Sequence, residues 1–462
     1  MPDPTVQHPV PQTARSGILS PADLRDAVSR EDITTVLLAV PDMMGRLKGK
    51  RLRAARFLET MESQEMCAYV LATDVDMNPL TGFELTDWED GYGDIRVLPN
   101  MDTIRRLPYP GTVLIHADAA HADGTFVDVA PRRMLRTQLA RIAKLGMNVR
   151  VGLESEFVLY RGGQRRAQAA GYRGLTPVGL HNGDYSLDHP PELMQFFLDL
   201  EDALSTAGTP VEAVKTEGAR GQIEVTFPYG EALRACDAYT AYKHIVKHLA
   251  EQHRMTPTFM AVPETGVGSG LHIHLSLWFD DRNAFACQSG QDLPETMKQA
   301  IAGLVTAMPH LGPLYAPTVN SYNRYLPHSF APTRFSWGHD NRGCAVRVTG
   351  HGEGTHLEIR LPPANANPYL ALSASLAAIH HGLTNHLKPP PPSEGEPYED
   401  SDALPVPGTL AEALADFDAS SLAQEAFGGA VVRHYAHAAR AEVYAHRGQV
   451  GDVELERGFL RD

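Results

Sequence analysis

The 462-residue chain carries a formal net charge of −15, with 43% hydrophobic and 21% charged residues. These values are typical of a soluble globular protein, and the length predicts two or more domains. The acidic balance argues against nucleic acid as the main partner. We expect no membrane partner and a cytoplasmic location, because no apolar run approaches the length of a membrane span and Met1 to Ser20 lacks the apolar segment of a signal peptide.

The first part of the chain predicts a small α+β domain. Residues 1–17 are predicted to form a disordered leader, residues 18–118 this α+β domain, and residues 119–462 a second domain. The first domain is expected to contain a helix from Pro21 to about Glu31. Apolar and alternating runs predict its strands, at 34–40, 47–52, 68–74 and 93–99.

The second domain is predicted to alternate strands, helices and long loops. Helical periodicity and end signals predict a helix that starts at Pro131 and ends at Gly146, and others at 191–208, 231–253, 295–308 and 367–383. Strands are predicted at 149–160, 211–227, 270–277, 344–348 and 356–361. Residues 161–190 are predicted to form a loop. Residues 320–336, which show no periodic pattern, are predicted to form an active-site loop, because long loops in compact domains are often functional.

The strand predicted at Val149–Tyr160 carries two carboxylates that organise the hypothesis about function. Side chains alternate along a strand, so Glu154 and Glu156 point to one face. Two like charges on one face are expensive to bury uncompensated. A divalent cation such as Mg²⁺ or Mn²⁺ relieves this cost, because hard ions prefer carboxylate oxygens. The alternative is a solvated edge strand.

Three later segments repeat the design of an apolar back and a polar front. Their polar residues are Gln222, Glu224 and Thr226, then His272, His274 and Ser276, then His356, Glu358 and Arg360. If the four fronts converge, they line a concave site for metal ions and an anionic substrate.

Several motifs that contain these residues occur in a fixed order along the chain. They are the Glu-x-Glu-Phe run at 154–157, Glu217 followed by Gly221-Gln222-Ile223-Glu224, Thr258-Phe259-Met260, Gly270-Leu271-His272-Ile273-His274-Leu275-Ser276, Asn320-Ser321-Tyr322-Asn323-Arg324, Asn341-Arg342, Glu358-Ile359-Arg360 and Asn367-Pro368-Tyr369. From about residue 20 to its end the chain therefore resembles the glutamine synthetase family, type I-like.

The resemblance implies an α+β fold with an N-terminal β-grasp-like domain and a C-terminal catalytic α/β barrel with antiparallel strands. It also implies a homo-oligomer, expected to be a dodecamer of two stacked hexameric rings. In such rings the active sites form between neighbouring subunits.

The resemblance further implies a role for each matching residue. Glu156, Glu217 and Glu224 would hold one divalent ion, and Glu154, His272 and Glu358 the other. Arg324, Arg360 and Gly268 would bind glutamate or its phosphate, Arg342 and Arg347 the phosphates of ATP, and His274 and Ser276 the nucleotide. Asp74, Glu217 and Tyr185 would lie at the amine site, with Arg324 and Arg342 stabilising charge in the reaction.

The implied activity agrees with the chemistry of these residue types. A carboxylate is a poor acyl donor, so its junction to an amine requires activation as an acyl phosphate made from ATP. Two Mg²⁺ (or Mn²⁺) ions align the phosphates, and arginines stabilise the charge that builds on the transferred group. The amine attacks only when it is unprotonated, although a free alkyl amine has a pKa near ~10.4.

Two departures from the family pattern bear on the amine. The family continues its Asn-Ser-Tyr-x-Arg motif with Pro-Gly-Tyr-Glu, whereas this chain has Pro327-His328-Ser329-Phe330, so Phe330 stands in place of a carboxylate. Val267 also stands where the family has Asn before Gly268. An aromatic ring removes charge and suits the carbon stem of an alkyl amine. We therefore predict a ligase for glutamate and a small alkyl amine, with ethanolamine favoured.

Other interpretations of the sequence stay open. The substrate could be a polyamine such as putrescine or spermidine, or ammonia with Glu217, Asp74 or His328 as the base. A non-catalytic glutamate-sensing paralogue and a two-metal hydrolase are the alternatives from other classes. Phosphate release from ATP that depends on glutamate and an amine separates these classes from a ligase.

Overall fold

The computed structural model describes residues 17–62, 64–288 and 290–461. The predicted leader, residues 1–17, lies outside this part of the chain except for Gly17. The described strands are β1 (Thr35–Pro41), β2 (Leu47–Arg53), β3 (Gln64–Cys67), β4 (Asp94–Pro99), β5 (Arg105–Arg106), β6 (Thr112–Ala120), β7 (Asn148–Arg161), β8 (Ala213–Thr216), β9 (Gln222–Thr226), β10 (Gly230–Glu231), β11 (Met255–Thr258), β12 (Leu271–Phe279), β13 (Arg282–Asn283), β14 (Trp337–His339), β15 (Val346–Thr349) and β16 (His356–Ile359).

Most helices lie in the second part of the chain. The described helices are α1 (Pro21–Ser29), α2 (Ala54–Glu59), α3 (Pro131–Ala143), α4 (Gly163–Ala169), α5 (Pro191–Thr206), α6 (Ala232–Gln252), α7 (Glu295–Ala307), α8 (Gly312–Tyr315), α9 (Val319–Tyr322), α10 (Pro368–Thr384), α11 (Leu410–Asp418), α12 (Ser421–Phe427), α13 (Gly429–Arg447) and α14 (Asp452–Arg461). Among them, no helix combines the length and apolar character needed to cross a membrane.

The first sheet has the strand order β2-β1-β6-β4-β3, and β5 also pairs with β6. Its central strand β6 is buried at all nine positions and pairs in parallel with β1. The sequence analysis missed β6. The strand predicted at 68–74 is wrong: β3 ends at Cys67, and Ala68–Leu71 forms a 3₁₀ helix with buried apolar side chains.

The second sheet contains all four strands with polar fronts as neighbours. Its order is β14-β15-β16-β12-β7-β9-β8, and β16, β12, β7 and β9 pair antiparallel. The predicted convergence of the four fronts is therefore confirmed. Residues 161–190 are not all loop, because α4 lies within them, and α9 begins the loop predicted at 320–336.

A buried ion cluster ties the end of β6 to the helices that cover the second sheet. Arg132 on α3 donates to both carboxylate oxygens of Asp237 on α6, at 2.8 and 2.7 Å, and to Asp118 on β6 at 2.6 Å. Tyr369 on α10 donates to Asp237 at 2.7 Å. The Arg132 and Asp237 side chains are each only 1% exposed. These contacts fix α3, α6 and α10 around one centre.

Candidate active site

Strand register brings the carboxylates of β7 opposite the polar residues of its two neighbours. Glu154 lies opposite His272 of β12, and Glu156 lies opposite Glu224 of β9. On the far side of β12, His274 lies opposite Glu358 of β16. Because apolar residues on the backs of these strands fill the core, the polar fronts must share the opposite face.

The first candidate metal group consists of Glu154, His272 and Glu358. Nδ1 of His272 lies 3.2 Å from Oε2 of Glu154 and 3.7 Å from Oε1 of Glu358. One ligand atom from each of the three residues falls within 4.8 Å of the others. This is the set that the resemblance implied for one of the two ions.

The second candidate group consists of Glu156, Glu224 and His272, again with ligand atoms within 4.8 Å of one another. Nε2 of His272 lies 3.9 Å from Oε1 of Glu156, so the two nitrogens of one ring face the two groups. Glu217, the third residue expected here, instead accepts a hydrogen bond from Lys215. The structure thus joins two of the three expected residues directly.

The backbone around Gly270 holds Glu156 in place. The Gly270 N–H donates to Oε2 of Glu156 at 2.8 Å, and Gln222 Nε2 donates to the same oxygen at 3.0 Å. A Cβ at Gly270 would meet Arg324 Nη2 at 2.7 Å and His272 Nε2 at 2.9 Å. From the sequence, Gln222 was placed on the polar front without this contact and Gly270 had no predicted role, because the close approach that requires glycine becomes visible only in three dimensions.

The electrostatics of the second group favour a bound cation. Burial, with the charge of Glu217 adding to it, raises the pKa of Glu156 to about 7. Burial and the charge of Glu154 raise the pKa of Glu224. Both carboxylates are therefore expensive to ionise without a further cation. Two carboxylates and an imidazole fit Mg²⁺ or Mn²⁺, so these residues fit the ion that the family implies.

In the first group, neighbouring side chains outweigh the effect of burial, so the pKa values of the carboxylates are lowered rather than raised. Burial opposes ionisation of Glu358, but Arg360 and His272 outweigh it and lower its pKa to about 2. Burial also opposes ionisation of Glu154, yet its polar contacts with His272 and His274 lower the pKa. Burial lowers the pKa of His272 to about 4, which keeps the ring neutral and leaves one of its two nitrogens able to bind a metal.

Three arginines surround these groups. Arg347 donates to Oε2 of Glu358 at 2.7 Å, and Arg360 donates to Oε1 of the same carboxylate. Arg324 is buried, and its Nη2 lies 3.5 Å from His272 Nε2. Arg347 also pairs with Asp340, which the sequence analysis did not single out. The side chain of Arg342 is exposed, and its carbonyl accepts from Arg360 Nε at 2.9 Å.

The residues expected at the nucleotide and glutamate lie near the same face. His274 Nε2 lies 3.0 Å from Oε1 of Glu154, and its Nδ1 lies 2.9 Å from the ring of His356. Ser276, one position further along the front of β12, accepts a hydrogen bond from Trp278 at 2.8 Å. The carbonyl of Gly268 accepts from Gln222 at 2.8 Å.

The aromatic residues assigned to the amine site lie on exposed loops. Tyr185 and Phe330 are 70% and 67% exposed, and both have positive φ, at 54° and 59°. Such backbone geometry is unusual for bulky residues and concentrates at functional sites. The carbonyl of Phe330 accepts from Arg360 at 3.3 Å, which links its loop to the first metal group.

Two further candidates for the amine site, Asp74 and His328, have surroundings different from those of Tyr185 and Phe330. Asp74 accepts hydrogen bonds from Asn78 and lines a cavity of about 40 Å³ that Arg46 and Glu442 also line. Among the described residues, no hydrogen bond or ion pair joins Asp74 to the carboxylates of the two candidate metal groups. His328, the alternative base, pairs with Glu396 at 3.0 Å.

Lys215 is a further charged residue beside the second candidate group that was not predicted from the sequence. It lies on β8 directly opposite Glu224, with Nζ 3.6 Å from that carboxylate and 3.8 Å from Asp184. Its ammonium also lies 4.6 Å from the centre of the Tyr185 ring. The sequence signal was the Lys215-Thr216-Glu217 spacing, which places lysine and carboxylate on one face if the segment is extended.

Comparison with known proteins agrees with this geometry. Residues 128–458 match the glutamine synthetase catalytic domain. The chain belongs to the glutamine synthetase family. It is also 42% identical to a gamma-glutamylethanolamide synthetase of Streptomyces coelicolor over 462 residues, covering 99% of each chain.

Two other similarities cover almost the whole chain. A glutamate–isopropylamine ligase of a Pseudomonas species is 31% identical over 445 residues, covering 94% of this chain and 96% of that one. A solved structure of GmaS in complex with ADP superposes with a TM-score of 0.81 at 25% identity, covering 95% of this chain and 99% of that chain.

Proposed function

We propose that this protein is an ATP-dependent ligase that joins the γ-carboxylate of glutamate to a small alkyl amine, with ethanolamine favoured, through a γ-glutamyl phosphate. The observation that carries the proposal is the pair of groups around His272, Glu154 with Glu358 and Glu156 with Glu224, flanked by Arg347 and Arg360. The similarity to two ligases that use alkyl amines supports it.

The side chains around His272 would hold two divalent ions. Bound there, the ions supply Lewis acidity and align the transferred phosphoryl group. The buried Arg324 and Arg360 are the candidates for the carboxylate or phosphate of the glutamyl substrate, because a guanidinium binds such groups through paired hydrogen bonds. Arg342 and Arg347 are the candidates for the ATP phosphates, and His274 and Ser276 for the nucleotide.

The amine is proposed to approach from the side of Glu217, Tyr185 and Phe330. Phe330 offers an apolar surface at the position where the family pattern carries a carboxylate. An apolar wall favours the carbon stem of an alkyl amine over a bare ammonium ion, because ammonium requires several close anionic and polar groups. Glu217 remains the candidate base that takes the proton from the amine.

The finer architecture is also part of the proposal. Residues 18–118 would form a β-grasp-like domain and residues 119–462 a catalytic barrel, in a cytoplasmic homo-oligomer of two stacked hexameric rings. Asp74 lines a cavity that none of the candidate metal ligands lines, and Tyr185 and Phe330 are exposed. A neighbouring subunit that supplied Asp74 and covered the two rings would complete the amine site.

The test is formation of ADP and phosphate by the purified protein with Mg²⁺, ATP and glutamate. Ammonium, isopropylamine, ethanolamine and putrescine are compared, and the product masses are checked. The proposal predicts turnover that requires both glutamate and an alkyl amine, highest with ethanolamine. Turnover with ammonium alone would instead make the protein a glutamine synthetase, and no turnover with any amine would favour a non-catalytic role.

A further inference from the structure

The ammonium group of Lys215 already lies in a cation-binding site next to the second metal group. Glu217 accepts its hydrogen bond, the carboxylates of Glu224 and Asp184 lie 3.6 and 3.8 Å away, and the Tyr185 ring lies at 4.6 Å. Carboxylates combined with an aromatic face are the groups that recognise alkylammonium ions. The side chain of Lys215 is 24% exposed, so the site opens to solvent.

The position of Lys215 is set by backbone structure. Its partner Glu224 lies opposite it in the β8–β9 ladder, and Glu156 lies opposite Glu224 in the next ladder. The loop that carries Asp184 and Tyr185 is held against β8, because Thr216 donates to the Gly183 carbonyl and the Tyr185 N–H donates to the Thr216 carbonyl at 3.4 Å. The lysine and its partners are therefore preorganised.

We propose that Lys215 determines amine specificity: its ammonium, held by Glu217, Asp184 and the Tyr185 ring at the edge of the amine site, repels a second cation and so selects monoamines with an uncharged tail. The inference rests on the proposed ligase function and deepens it. A second cation on the substrate meets a fixed like charge. The hydroxyl of an amino alcohol instead accepts a hydrogen bond from Nζ.

The first test compares two amines of equal length, 4-aminobutan-1-ol and putrescine, which differ in a terminal hydroxyl or ammonium. Wild-type protein is expected to show a kcat/KM for the amino alcohol higher by about tenfold or more, because like charges in contact are strongly disfavoured. The ratio of product masses in mixtures of both amines measures the same preference. Equal use of the two amines by wild-type protein overturns the proposal.

Variants at Lys215 locate the cause of the preference. Lys215→Met keeps the length and removes the charge, so the preference is expected to move towards putrescine by about tenfold or more. Lys215→Arg keeps the charge and is expected to keep the wild-type preference. Lys298→Met, which removes a lysine paired with Asp292 on the surface, is the matched control and leaves the ratio unchanged. An active Lys215→Met protein with the wild-type ratio overturns the proposal.

A second variant covers the case in which Lys215→Met loses all activity. Asp184→Asn removes one anionic partner of Lys215 and leaves the proposed metal ligands intact. The remaining positive charge is then less compensated, so discrimination against putrescine is expected to grow by about threefold or more. An unchanged ratio in this variant overturns the proposal. Absence of turnover with every amine in wild-type protein contradicts the ligase function itself, which distinguishes the two failures.

Discussion

Two buried ion clusters in this protein have opposite charge balances. Around Arg132, the two carboxylates of Asp237 and Asp118 pair with two guanidiniums, because Arg136 also lies 3.3 Å from Asp118. Despite burial, the charges of His116 and Arg132 hold the pKa of Asp237 at about 2. Around His272, burial raises the pKa of Glu156 to about 7 and also raises the pKa of Glu224. The carboxylates of the first cluster are paired within the chain, whereas the raised pKa values of Glu156 and Glu224 favour a further cation in the second. We interpret the first as a structural cluster and the second, the candidate site, as the functional cluster.

The largest predicted effect is on stability, from breaking the structural cluster. Arg132→Met leaves Asp237 buried without its cation, whereas Asp118 keeps its pair with Arg136, so the free energy of unfolding is expected to fall by about 3–5 kcal/mol. Urea denaturation measures it. Arg133→Met is the matched control, because the adjacent arginine forms an exposed pair with Asp128 and its loss should cost less than about 1 kcal/mol. Equal effects of the two substitutions would contradict the assignment of Arg132 to a stabilising buried ion cluster.

Glu156→Gln should act on the functional cluster with the opposite effect on stability. It removes a carboxylate with a raised pKa, so the metal-free protein is expected to be at least as stable as wild type at pH 8. Ligase activity should nevertheless fall by about a hundredfold or more. Thermal unfolding in EDTA and ADP formation with Mg²⁺ measure the two quantities. Glu192→Gln, at an exposed pair with Arg161, is the control. A destabilised metal-free variant would refute the charge imbalance.

The pH dependence of stability should expose His116, which hydrogen-bonds Thr240 beside the structural cluster. Burial lowers the pKa of His116 to about 3. The unfolded chain therefore takes up a proton below about pH 6.5 that the folded protein does not, and stability is lost as the pH falls from there towards 3. At pH 5 this cost is about 2 kcal/mol. Relative to its own stability at pH 8, His116→Asn should lose about that much less than wild type in urea denaturation at pH 5. Identical pH profiles would show that His116 titrates normally.

The smallest predicted effect concerns the amine. Phe330→Glu restores the carboxylate of the family pattern, so the ratio of kcat/KM for ammonium to that for ethanolamine should rise by about tenfold. Phe330→Leu, which keeps an apolar side chain, should leave the ratio close to wild type. A competition assay with ammonium and ethanolamine, in which the two products are distinguished by mass, measures this ratio. An unchanged ratio in Phe330→Glu would mean that the loop does not select the amine.

The sequence predicted the functional cluster better than the structural one. Alternation placed Glu154 with Glu156 and the later polar fronts on one face, because a strand has a fixed period of two. The same reasoning could not detect β6, which is buried at every position although it contains Thr112, His116 and Asp118. It also assigned a strand to 68–74, where a short apolar run folds as a 3₁₀ helix.

Long-range contacts explain the other features of the structure that were not predicted from the sequence. Arg132 and Asp237 are 105 residues apart, so no local pattern predicts their pairing. The ion pair between Lys215 and Glu224 depends on the β8–β9 register, whereas the sequence predicted one strand over 211–227. Glu217 accepts a hydrogen bond from the same lysine and is not part of the second candidate group. Each of these contacts is fixed by tertiary packing, which periodicity does not encode.

The most direct test of the charge imbalance is a calorimetric titration of the metal-free protein with Mn²⁺, accompanied by thermal unfolding at each step. We predict saturable binding of about two Mn²⁺ ions per chain and a rise in Tm on binding. We also predict weaker binding in Glu156→Gln and in Glu358→Gln, with Arg133→Met unchanged. Absence of binding by wild-type protein, or binding that neither glutamate substitution weakens, would contradict the central claim that the cluster around His272 is completed by divalent ions.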